Sequence, residues 1–117
     1  MRDCVHKMEL PFIDSLRVEQ SKVTGYLLNE SAGRGKAAFF LRLGFRPENW
    51  ELLAVALTTQ ARNNPVASIV DSVYGKRYSV DGHIETPENR QPRPRVRTVW
   101  TLENGSESPR LITAHPV

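Results

Sequence analysis

Hydrophobic positions recur along the chain with two different periods, and the change falls near residue 64. Before it the spacing is helical. Val23, Tyr26 and Leu27 predict a short helix near residues 20–29, weakened by Gly25, which costs about 1 kcal/mol against alanine. Asn29 to Gly35 reads as a turn with Gly33 and Gly35 as its pliant points. A second helix is expected over about residues 35–43. Gly44 suits the left-handed position just past its end, and Phe45 can fold back on Phe40. Pro47 fits the first turn of a third helix, in which Trp50, Leu53, Ala54 and Leu57 repeat at i, i+3, i+4 and i+7. That is the strongest helical pattern in the chain and reads as a core element.

Asn63, Asn64 and Pro65 break the helix, and the residues that follow favour strands. VASIVDSVYG, KRYSVDGHIE, RVRTVWTLE and RLITAHPV are rich in β-branched and aromatic side chains. Gly75, TPENRQPRP and ENGSESP separate them. Four strands joined by such links predict an antiparallel meander, so the fold class is α+β: about three N-terminal helices followed by a four-stranded antiparallel sheet. Alternation puts Val96, Thr98, Trp100 and Leu102 on one side of the third strand, with Arg95, Arg97, Val99 and Thr101 on the other. In the fourth strand it puts Leu111, Thr113 and His115 together, opposite Arg110, Ile112 and Ala114.

Composition narrows the class. The chain has 117 residues, 39% hydrophobic and 25% charged, which suits one globular domain and argues against disorder. No apolar run approaches the roughly 20 residues of a membrane span, and MRDCVHKMELPF lacks the apolar stretch of a secretory signal. A single cysteine, Cys4, excludes an intrachain disulfide and a cysteine-rich zinc site. These features fit a cytoplasmic protein with no membrane partner. The net charge of +3 hints at an anionic partner, and placement sharpens the hint: Arg93, Arg95 and Arg97 alternate along one short stretch, between Arg90 and Arg110.

The segment SAGRGKAAFF looks like a phosphate loop but is not a nucleoside-triphosphate one. Glu30 stands where a Walker loop needs its first glycine, and Ala37 where it needs a magnesium-binding hydroxyl. No cluster has metal or redox spacing, and no dinucleotide fingerprint is present, so no cofactor is expected.

Three blocks, YLLNESAGRGKAAFFLRLGF, YGKRYSVDGHIETPENR and RVRTVWTLENGSESPRLITAHPV, resemble a family of small bacterial proteins, domain-of-unknown-function family 6883. The resemblance runs over residues 9–117 and implies a single α+β domain there, with residues 1–8 as an N-terminal extension. It also implies the architecture of the barnase, colicin D and E5, EndoU and RelE nucleases, whose relatives serve as bacterial toxins. One departure stands out: the family usually has a His-Pro pair before its lysine, whereas this loop reads NESAGRGK.

Metal-independent RNA cleavage needs a base for the ribose 2′-hydroxyl, an acid for the leaving 5′-oxygen, and donors for the charged phosphorane. Lys36 can supply a cation at the start of a helix; the plainer alternative is a solvated first-turn lysine. Arg97 can grip a phosphate in a guanidinium fork, or it can form a cross-strand salt bridge to Glu85 or Asp81. Thr113 and Thr98 offer hydroxyls on central strands, where threonine is also simply a good strand former. His115 belongs to the residue type that changes charge near neutral pH, and it can stand in for the missing histidine or be an ordinary residue near a chain end. Arg93, Arg95 and Arg34 are candidate contacts to a nucleic-acid backbone, and also ordinary surface charges. Trp50 and Trp100 read as core anchors. Tyr74 and Tyr78 are open between core and base stacking.

The expected function is therefore a metal-independent ribonuclease of the toxin type, acting on tRNA or mRNA, with a small antitoxin or immunity protein encoded nearby as partner. The alternative is a non-catalytic RNA- or protein-binding module on the same fold, motivated by the absent His-Pro pair.

Overall fold

The computed structural model describes residues 8–29 and 36–117. Three helices precede a four-stranded antiparallel sheet. Helix α1 is a single turn, Gln20–Lys22, that continues into a wider π-type turn, Val23–Leu27. The expected first helix is thus present but not regular. Helix α2 spans Lys36–Arg42, and α3 spans Trp50–Asn63 after a 3₁₀ turn at Pro47–Asn49. Between α2 and α3 the chain turns as predicted: Gly44 has φ +101°, the amide of Phe45 donates to Phe40 O at 3.3 Å, and the two rings meet edge to face. A positive φ is what a glycine accepts without steric cost.

The strands are β1, Val66–Ser72; β2, Gly75–His83; β3, Arg95–Glu103; and β4, Arg110–Pro116. They lie in the order β1-β2-β3-β4 with each neighbouring pair antiparallel. The N-terminal segment lies along the outer edge of β4, where Arg17 N–H donates to Pro109 O and Leu111 N–H to Arg17 O. All the helices cover one face of the sheet. Their Leu27, Phe40, Leu53, Leu57 and Ala61 pack with Tyr78, Val80, Val96, Trp100, Leu111 and Ala114 in one buried cluster. Tyr78 is therefore a core residue, while Tyr74 is 79% exposed. Trp100 is fully buried, and Trp50 packs against the core from a partly exposed position.

The alternation read for β3 matches its burial: Val96, Thr98 and Trp100 face the helices. In β4 it fails at one point. Register shifts between Val99 and Trp100, so Val99 faces Thr113 while Trp100 faces Leu111, with one extra residue on β4. The bulge puts Leu111 with Ala114 in the core and leaves Thr113 with His115 on the other face. The expected grouping of Leu111 with Thr113 is corrected accordingly.

A buried polar network fastens α3 to the sheet. Gln60 donates its amide hydrogens to Val80 O and Val96 O, both at 2.9 Å. Its carbonyl accepts from the Thr98 hydroxyl at 2.9 Å, and Thr98 Oγ1 accepts from the Trp100 indole at 2.8 Å. Thr98→Val strands the indole N–H and the Gln60 carbonyl inside the core. A lost partner at a buried polar group costs about 1–3 kcal/mol. Denaturant titration should show a loss of stability in that range, with an unchanged dependence on denaturant concentration.

Candidate functional site

The face of the sheet turned away from the helices carries two neighbouring rows of side chains, polar except for Val99. Antiparallel register aligns Asp81, Arg97 and His115 across β2, β3 and β4. The adjacent row is Ser79, Val99 and Thr113. Every member of both rows is partly exposed. Thr113 and His115 are two residues apart on one strand, hence about 7 Å.

Lys36 reaches this face from the first residue of α2. Its ammonium donates to Thr113 Oγ1 at 3.1 Å and to Tyr26 Oη at 2.8 Å. The contact joins residues 77 positions apart in sequence. Ala37 and Phe40 are buried on α2 and fix that helix against the core, so the start of the helix is held beside β4. Tyr26 comes from the π-type turn, which Val23 and Leu27 bury. Its phenol is held below its ordinary value, first by the hydrogen bond from Lys36, then by one from Thr113.

Arg97 makes the salt bridge read as its alternative role. Of its two possible acceptors the chain uses Asp81: Nε donates to Oδ1 at 2.6 Å and a terminal nitrogen to Oδ2 at 2.9 Å. A guanidinium carries five N–H donors, and this fork uses two. Arg95 stands 4.0 Å from the same carboxylate. The Asp81 carboxyl lies below its ordinary value, chiefly through the Arg97 hydrogen bond, with smaller contributions from Arg97, Arg95 and His115 charge. His115 Nδ1 lies 3.1 Å from Pro116 O. A carbonyl only accepts, so Nδ1 carries the proton and Nε2 is the nitrogen left for proton transfer.

Lys36, Thr113, Arg97 and His115 therefore come together on one face, with Arg95 beside them. Thr98 does not. It is fully buried on the helix side, its hydroxyl engaged with Gln60 and Trp100, so the expectation that it meets nucleic acid is corrected. Alternation along β3 puts it opposite Arg97. The arginine stripe also divides: Arg93 precedes β3 and lines a groove of about 470 Å³ between α3 and residues 83–87. Arg34 lies outside the described residues. Sequence reasoning did not anticipate Tyr26 as a partner of Lys36, and no local pattern announces it, because the pairing depends on how the π-type turn packs.

Among the described residues no three His, Cys, Asp or Glu side chains gather as a metal site, and no helix is long and apolar enough to cross a membrane.

The model of the domain of unknown function DUF6883 matches residues 9–117. The chain belongs to this family. The DUF6883 fold is shared with a solved structure, a chain of the contact-dependent growth inhibition toxin – immunity protein complex from Klebsiella pneumoniae 342. That chain superposes with a TM-score of 0.69 at 19% identity, over 90% of this chain and 96% of its own. At that identity the likeness concerns the fold. No curated protein matches the DUF6883 chain.

Proposed function

We propose that this DUF6883 protein is a toxin-type ribonuclease that cleaves RNA, such as tRNA or mRNA, through its own ribose 2′-hydroxyl without a metal ion. The observation that carries the reading is the bond from Lys36 to Thr113 on the open sheet face, one row from the Arg97–His115 pair. Two cations, a hydroxyl and an imidazole then lie in adjacent rows of one sheet face. Lys36 and Arg97 offset the charge that grows on the phosphorane. Thr113 orients a phosphate oxygen, and His115 in its imidazolium form gives its Nε2 proton to the leaving 5′-oxygen. Arg95 contacts the neighbouring backbone phosphate. A fold shared with a chain of a toxin–immunity complex supports the biological setting.

The purified protein, incubated with total RNA in excess EDTA, should yield fragments ending in 2′,3′-cyclic phosphate, and its induced expression should arrest bacterial growth. Intact RNA and normal growth would remove the proposal.

A second reading has its own observation. Asp81 already occupies the fork of Arg97, as in a surface kept for a protein rather than a phosphate. A non-catalytic module would form a stable complex with a small protein encoded beside it and leave RNA intact.

A further inference from the structure

Tyr26 holds the Lys36 ammonium, yet the ribonuclease reading above gives it no task. An ammonium has donors only, so in its contact with Lys36 the phenol oxygen must be the acceptor. Lys36 also donates to Thr113 Oγ1, which sets that hydroxyl beside the phenol oxygen. A hydrogen bond from an ammonium favours the negative form of the phenol oxygen. The charges acting on Tyr26 are Lys36, from α2, and Lys22, from its own helical segment, whose ammonium lies 5.0 Å from the ring centre. Both are positive; β4 contributes the neutral Thr113. Tyr26 itself is partly exposed.

We infer that Tyr26 is the general base of the cleavage, a role that rests on the ribonuclease reading. The Tyr26 phenolate oxygen takes the proton of the ribose 2′-hydroxyl. The freed electron pair forms the P–O2′ bond, and the phosphorane collapses by breaking P–O5′. The 5′-oxygen leaves with the Nε2 proton of the His115 imidazolium, which becomes neutral. The products are a 2′,3′-cyclic phosphate and a 5′-hydroxyl, and water returns the proton from the Tyr26 phenol to His115. The lowered phenol pKa agrees with this role without establishing it. This assignment gives the chain a base despite the histidine missing from its NESAGRGK loop.

Two measurements test it on the full chain. In an ultraviolet difference titration of the three tyrosines, one phenol should ionise below the ordinary phenol value of about 10. Tyr26→Phe should remove that transition, and Lys36→Met should move it to higher pH. In cleavage assays Tyr26→Phe should lower kcat by about 10²–10⁴-fold, the span of a lost proton-transfer group, with KM changed less than tenfold. The rising limb of its pH–rate profile should disappear, a change that loss of packing alone does not produce. A cleaving wild type matched in rate and pH profile by Tyr26→Phe overturns the base assignment alone. A wild type that leaves RNA intact overturns the ribonuclease reading and the assignment with it.

Discussion

Lys36→Met is expected to lower RNA cleavage by about 10²–10³-fold, the loss typical when one preorganised donor to a developing oxyanion is removed. Methionine keeps most of the stem, so α2 should stay in place on Ala37 and Phe40. The missing ammonium has two consequences. The phosphorane loses a cation, and Thr113 and Tyr26 lose the donor that joins them. Both act on the chemical step more than on binding, so the drop should appear in kcat under single-turnover conditions with KM little altered. Lys36→Arg should recover only part of the rate, because a planar guanidinium on a longer stem does not place one nitrogen against both oxygens. A Lys36→Met protein that cleaves as fast as the parent would dismiss the lysine from the mechanism.

The second large effect is expected from Arg97→Ala, and it divides into two readouts. Cleavage should fall by about 10²-fold with the loss of the phosphate contact. The response of stability to acid should change as well. Asp81 has a depressed carboxyl, so it contributes stability above the ordinary carboxylate value near about 3.9 and loses it as pH falls through its lower folded value. Arg97→Ala removes the largest cause of that depression. The melting temperature should then fall less steeply below about pH 4 than it does in the parent, measured relative to each protein at neutral pH. Asp81→Asn should flatten the same acid limb while keeping cleavage within about tenfold of the parent. If Asp81→Asn abolished cleavage instead, the carboxylate would belong to the chemistry and not merely to the placement of Arg97.

The sheet was the most legible part of the chain. β-branched runs between Gly75, the TPENRQPRP stretch and ENGSESP mark four strands, because breakers and strand formers act locally. The end of α2 was equally plain, since Gly44 and Phe45 meet a requirement set within a few residues. Features that depend on distant contacts were not. Alternation separates Thr98 from Arg97, yet which face of β3 the helices cover is decided by where α3 packs, and Gln60 settles that from 38 residues away. The bulge opposite Val99 and Trp100 reverses the grouping of Leu111 with Thr113 through one residue that no pattern marks. Arg97 had two plausible partners, and only the register of β2 against β3 selects Asp81 over Glu85. The convergence of Lys36 on Thr113 follows from the fold closing the chain on itself, which local sequence does not encode.

Cohesion and the proposed chemistry occupy opposite faces of the same sheet. The Gln60–Thr98–Trp100 linkage glues the hidden side, and no residue of the Asp81–Arg97–His115 row takes part in it. Disarmed versions of the molecule should therefore keep their shape. If the proposed toxin activity holds, such copies would serve as folded bait for a partner protein.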